Sequence, residues 1–148
     1  MGEHYKTYGA VMLFLLREVN GKTQILLQKR ANTGYADGMW DCGTSGHVED
    51  NESMKCAMIR EAKEELGIKI ENLHFATFVH KHSANGVNYY NNYFVCNEYE
   101  GIPEIMEKNK CSEIQWFPIE QLPKELLDDR KEALSKYLNG ISYSEYGW

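Results

Sequence analysis

The sequence predicts an α/β fold, a mixed β-sheet sandwiched between helices, and three observations carry that expectation. Apolar and β-branched runs bounded by turn residues recur along the chain, the stretch leading to Gly67 has helical spacing, and so does the stretch after Pro123. Strands around an internal helix, with a second helix at the end, bury their apolar faces most simply when helices cover both sides of one sheet. A chain of 148 residues has room for one domain with a proper core and too little for two. Residues 1–148 are therefore expected to form a single domain.

The elements follow in chain order. Residues 9–16 form a continuous apolar run suited to a strand covered on both faces. Asn20-Gly21 then gives a tight hairpin into a second strand at Gln24 to Lys29, because both residues tolerate the positive φ that such turns require. Ala31 to Gly38 is rich in turn formers and reads as a loop, followed by a short strand around Met39 to Cys42 and an irregular stretch from Gly43 to Asn51. A helix is expected from Asn51 or Glu52, with Met58, Ile59, Ala62 and Leu66 as its apolar stripe and Gly67 as its left-handed stop. Leu73 to His82 and Asn88 to Cys96 have strand composition and are joined by a loop holding Asn85-Gly86. Glu98 to Lys110 is polar and irregular, and Glu113 to Phe117 is a last short strand stopped by Pro118. Leu126, Leu127, Arg130, Ala133, Leu134, Tyr137 and Leu138 recur at helical spacing, giving a C-terminal helix of about 15 residues that Gly140 closes.

Charge and composition exclude several classes of function. A net charge of -6 argues against binding duplex nucleic acid through a basic face, since phosphate contacts need Lys and Arg in excess. Cys42, Cys56, Cys96 and Cys111 form no close ligand pair and no secretory segment precedes them, so reduced structural thiols are expected. No apolar run is long enough to span a bilayer, and a cytoplasmic location follows. Monomer and homodimer are both open at this level.

The informative stretch runs from Gly46 to Ile68. On a helix turning about 100° per residue, Glu61, Glu64 and Glu65 fall within roughly 100° of arc and share one face. Three carboxylates so crowded repel one another unless a positive charge sits among them. Two readings fit: a solvated helix in which Arg60 pairs with Glu64, or a site for a hard divalent cation such as magnesium or manganese, which takes oxygen ligands. The spacing favours the second. Gly46, five residues, Glu52, seven residues, Arg60-Glu61, two residues, Glu64-Glu65, one residue, Gly67 and apolar Ile68 resembles the box that defines the Nudix hydrolases, MutT-like members included. It departs at Ala62, where the family prefers a larger aliphatic, and at Thr44-Ser45-Gly46, where many members carry Pro-Gly-Gly.

The resemblance implies a Nudix-type α/β/α sandwich and metal-dependent hydrolysis of a diphosphate linkage in a nucleotide, with water attacking phosphorus. It assigns Glu61, Glu64 and Glu65 as ligands of Mg2+ or Mn2+, with the carbonyl of Ser45 as a backbone ligand. It makes Glu64, Glu65 and Arg60 catalytic, with Gly46, Glu52, Arg60 and Gly67 as structural support. Arg30 resembles a basic residue that reaches a substrate phosphate, and Glu113 an extra ligand or general base; the plainer alternatives are a strand-end charge and a surface carboxylate. Tyr89, Tyr90 and Tyr93 read as core more readily than as a base-stacking group. The proline that ADP-ribose-cleaving members share is missing, as no proline occurs between Ile68 and Pro103. A nucleoside triphosphate, or a nucleoside diphosphate linked to another group, is left as substrate.

Two rival readings accompany this one. A non-catalytic, nucleotide-sensing domain would tend to lose box carboxylates, and none is lost. Trp40, Cys42 and His47 are faintly similar to isopentenyl diphosphate isomerase, but the catalytic Cys of that enzyme falls on Thr44.

Overall fold

The structure is a computed structural model, and it describes residues 2–148. Ten elements follow one another: β1 (Tyr8–Val19), β2 (Lys22–Arg30), β3 (Trp40–Cys42), β4 (Thr44–His47), α1 (Met54–Leu66), β5 (Lys69–His82), β6 (Asn88–Glu100), β7 (Cys111–Pro118), α2 (Asp128–Leu138) and β8 (Tyr143–Tyr146). The strands form a mixed sheet in the order β3-β2-β1-β6-β5-β8, with β4 added to β1 and β7 added to β2.

β1 is the spine. Its first half lies parallel to β6 and antiparallel to β4, and its last residues turn at Asn20-Gly21 into β2. Both turn residues have positive φ, 53° and 76°, as the hairpin expectation requires. Alternation along β1 builds the two cores. Val11, Leu13 and Leu15 pack with Met58, Ala62 and Leu66 of α1, while Met12 and Phe14 face the other way, toward Ala133 and Leu134 of α2. Each large side chain so buried stabilises the fold by about 1.5–3 kcal/mol relative to exposure, which is why this strand needs no polar face. The expected sandwich is thus present, with one helix on each face of the sheet.

Several expectations are corrected in detail. The approach to the helix is not wholly irregular: β4 pairs with β1 from Ala10↔His47 to Leu13↔Thr44, a strand that its Thr-Ser-Gly-His composition conceals. α1 starts later than Asn51 or Glu52, because Ser53 is the N-cap and its hydroxyl accepts from the Cys56 amide at 3.1 Å. Ile59 is 40% exposed, and Ala57 takes its place on the buried face. β5 and β6 run longer than the aromatic stretches suggested, and β8 was not foreseen. It pairs parallel with β5, where Thr77 donates to the Ile141 carbonyl just ahead of it. α2 begins only at Asp128, and Gly67 ends α1 with φ of 68°, as expected. The four cysteines are unpaired; Cys42, Cys96 and Cys111 are buried, whereas Cys56 is exposed. Among the described residues no helix is long and apolar enough to cross a membrane.

Candidate active site

Pairing with β1 brings the Ser45-Gly46 backbone of β4 against α1, on the helix face that carries the carboxylates. The fit there is close. A Cβ at Gly46 would stand 2.3 Å from the Glu61 carboxylate, so only glycine leaves that carboxylate its place.

Arg60 is the hub of the box. Its Nε and Nη2 donate to the two oxygens of Glu52 at 2.6 and 3.0 Å, a bidentate grip, and Nη2 also donates to the His47 carbonyl at 3.3 Å. Its Nη1 reaches Glu61 at 2.8 Å and Glu64 at 3.3 Å. One guanidinium therefore joins β4, the loop before α1 and the helix itself. The Arg60 hydrogen bonds, helped by the Glu49 amide, hold the Glu52 carboxyl down to about 2.

Glu65 is half-buried, as Glu61 is, whereas Glu64 is exposed. Burial pushes the Glu65 carboxyl up to about 8; a hydrogen bond from the Thr44 hydroxyl opposes this, and the neighbouring Glu61 charge adds to it. As the side chains lie, Arg60 and Thr44 occupy the carboxylates, and among the described residues no three His, Cys, Asp or Glu groups already share one ion position. The donor set nevertheless fits a hard divalent cation: all its donors are oxygens, they line one cleft with the Ser45-Gly46 backbone, and the half-buried Glu65 is crowded by the Glu61 charge.

This cleft, of about 460 Å³, adjoins a deeper cavity of about 1160 Å³, and Ser45, Gly46, His47, Glu65, Glu107 and Lys110 line both. The cavity lies on the α2 side of the sheet. At its floor a chain of charges is largely withdrawn from solvent. Asp41, fully buried, accepts from Arg130 at 2.7 Å and from Arg30 at 3.0 Å; Asp129 accepts from Arg130 at 3.0 Å and from Lys81 at 2.9 Å. Burial by itself would raise the Asp41 carboxyl, but the Arg130 and Arg30 charges outweigh it and hold the group below its ordinary value.

The residues outside the box are distributed unevenly. Arg30 lines the cavity, yet its guanidinium is engaged with Asp41, the Tyr35 carbonyl at 2.9 Å and the Thr33 hydroxyl at 3.1 Å. Glu113, expected as an extra ligand or general base, lies exposed on β7 opposite Lys29 and lines neither cleft. Glu107, from the loop between β6 and β7, lines both, beside Lys110 at 3.3 Å. Sequence reasoning missed it because a loop shows no periodicity. Tyr93 is core, Tyr90 is exposed, and Tyr89 stands on the cavity wall, stacked on Tyr8.

Comparison with known proteins gives the same picture. The family model described as NUDIX domain matches residues 7–138. A MutT NUDIX hydrolase from Burkholderia pseudomallei is similar at 26% identity with a TM-score of 0.79, covering 88% of this chain and 98% of that one. The ORF135 protein of E. coli is similar at 24% identity and a TM-score of 0.71, covering 91% of this chain and 90% of that one. The NUDIX domain of Shewanella oneidensis NrtR, solved as a complex with ADP ribose, has the same TM-score at 18% identity, with 91% and 90% covered. With the carboxylates and glycines of its box in place and its sandwich shared, the chain belongs to the Nudix family.

Proposed function

We propose that the chain, a single domain over residues 1–148, hydrolyses a diphosphate linkage in a small nucleotide, with water attacking phosphorus. Magnesium or manganese would be held by Glu61, Glu64, Glu65 and the Ser45 carbonyl. The carrying observation is that the acidic face of α1 and the Ser45-Gly46 backbone line one cleft that opens into a cavity with ample room for a nucleoside. When bound, the cation supplies neutralisation of phosphate charge. The chain's own groups do the rest. Arg60 and Glu52 fix the helix against β4, and the Thr44 hydroxyl orients Glu65. Glu64, whose side chain is 53% exposed, and Glu107 across the cleft are the carboxylates placed to accept the proton of the attacking water. Lys110 stands beside Glu107 to meet phosphate charge. On this reading the substrate is a nucleoside triphosphate or a nucleoside diphosphate linked to another group, met in the cytoplasm.

An isomerase chemistry has less support. Cys42 is buried and its thiol is pushed far up by burial and by Asp41, while Thr44 is bonded to Glu65, so neither offers a thiol to the cleft. The test is turnover of a nucleotide panel with either metal in heavy-oxygen water. Label on one phosphorus product is expected. Failure to cleave any diphosphate linkage by a chain that binds the metal would overturn the reading.

A further inference from the structure

Two adjacent asparagines, Asn91 and Asn92, lie in the middle of β6, each only 3% exposed. Asparagine is a poor strand former, and a buried amide needs partners for its donors and its acceptor. Asn92 finds protein partners: its Nδ2 donates to the carbonyls of Ala10 and Tyr90 at 3.1 and 3.0 Å. Asn91 points to the opposite face. Among the described residues its amide makes no hydrogen bond to the protein, yet no fully enclosed polar side-chain atom is left unpartnered, so the amide opens onto the cavity whose floor it lines.

The surroundings say what it waits for. The other ionic groups on the floor, Asp129, Arg130 and Lys81, are bonded to one another, which leaves the Asn91 amide as the uncommitted buried polar group there. Met12 and Leu127 are apolar walls, and Tyr89 adds an aromatic one. A neutral, flat group with hydrogen-bonding atoms on its edge suits such a site better than an anion or an aliphatic chain. Register sets the distance. Ala10 of β1 pairs with His47 of β4 on one side and with Asn91 on the other. Two strand spacings, about 10 Å, therefore separate Asn91 from the strand that supplies Ser45 and Gly46. That is the reach from a phosphate across a sugar to a base, and the small Ala10 side chain leaves the path clear.

We infer that Asn91 is a specificity-determining residue that reads the base of the nucleotide, presenting an N–H donor beside a carbonyl acceptor to one edge of a heterocycle lodged in the cavity. The inference rests on the nucleotide reading of the site. An edge that carries a donor next to an acceptor pairs twice with a carboxamide, and a site built this way rejects ligands lacking that edge.

The experiment is binding, without chemistry, of the four nucleoside 5′-monophosphates and of ribose 5-phosphate to the full chain with magnesium. Wild type is compared with Asn91→Leu and Asn91→Asp. Wild type should prefer at least one nucleotide over ribose 5-phosphate. Asn91→Leu should weaken that nucleotide roughly 10- to 100-fold and leave ribose 5-phosphate unchanged. Asn91→Asp, which keeps the acceptor and loses the donor, should alter the order of preference among bases. The inference is overturned if Asn91→Leu binds the preferred nucleotide as wild type does, if both ligands weaken alike, or if wild type binds ribose 5-phosphate as tightly as every nucleotide. Should the leucine variant not fold, the aspartate variant decides alone, an unchanged order counting against. A wild-type chain that shows the base preference but turns no nucleotide over would sink the hydrolytic reading and leave this one standing.

Discussion

Arg60 holds Glu52 with two hydrogen bonds, at 2.6 and 3.0 Å, and with the same guanidinium touches Glu61, Glu64 and the His47 carbonyl. Seven residues lie between the two partners in the sequence, and the grip closes the loop between β4 and α1. It also spreads positive charge among carboxylates that would otherwise repel.

Replacing Arg60 by Ala should therefore act on stability and activity together. The melting temperature is expected to fall by several degrees and hydrolysis by an order of magnitude or more. Arg60→Lys should recover little, because an ammonium has no planar fork for two parallel bonds. The stabilising share of the pair has a definite pH window: the Glu52 carboxyl is depressed, so its contribution is present above the ordinary 4.5 and lost as pH falls toward about 2. A melting temperature for Arg60→Ala equal to wild type at neutral pH would refute the account.

Gly46→Ala should separate fold from metal binding. The added methyl would meet the Glu61 carboxylate at 2.3 Å, and that carboxylate ends a flexible side chain that can swing aside. Gly46 has no positive φ to protect, so the backbone tolerates alanine. Melting should change little while affinity for magnesium falls roughly 10- to 100-fold, as for other disturbances of ligand orientation. Titration calorimetry on the variant checks this, and wild-type affinity would count against Glu61 as a ligand.

These two sites were legible in the sequence because their chemistry is local: Gly46, Glu52 and Arg60 to Gly67 lie within one short stretch at fixed spacing. The two-sided burial of β1 was legible for a similar reason, since a run of apolar residues without alternation has few other uses. The charged floor was not. Asp41, Lys81 and Arg130 come from β3, β5 and α2, and nothing in the neighbourhood of any one of them names the other two. Arg130 was read only as part of a helical stripe, because a position on the buried face of a helix does not reveal that a buried carboxylate awaits it. β8 escaped for want of length: four residues, two of them exposed, are held by β5 and not by their own composition.

That floor has a testable energetic consequence. Asp41 is fully buried between Arg30 and Arg130, so Asp41→Asn leaves Arg30 without its ionic partner and Arg130 with Asp129 alone, and should cost about 3–5 kcal/mol. Because the native carboxyl is depressed below 3.8, its contribution is present above that pH and lost as acid drives the value through the native one. Denaturant unfolding at pH 7 and pH 3 should thus show wild type losing stability on acidification and the variant losing less. Equal losses would place the acid sensitivity elsewhere.

The two loop and strand carboxylates differ in a way that kinetics resolves. Glu107 lines the cleft shared with the acidic face of α1 and stands next to Lys110, while Glu113 is exposed on β7 opposite Lys29. A general base acts in the transition state, so its loss lowers kcat more than it weakens substrate binding. Glu107→Gln keeps the shape and a hydrogen-bonding oxygen but cannot take a proton; kcat should fall roughly 100-fold or more with KM nearly unchanged. Glu113→Gln should leave both constants close to wild type, because a carboxylate outside the cleft reaches no water that attacks phosphorus. The reverse pattern would return the role to Glu113 and require the β7 edge to move toward the helix in the substrate complex. If neither variant slows turnover, the proton goes to Glu64, and Glu64→Gln, tested beside them, should then show the large loss in kcat on its own.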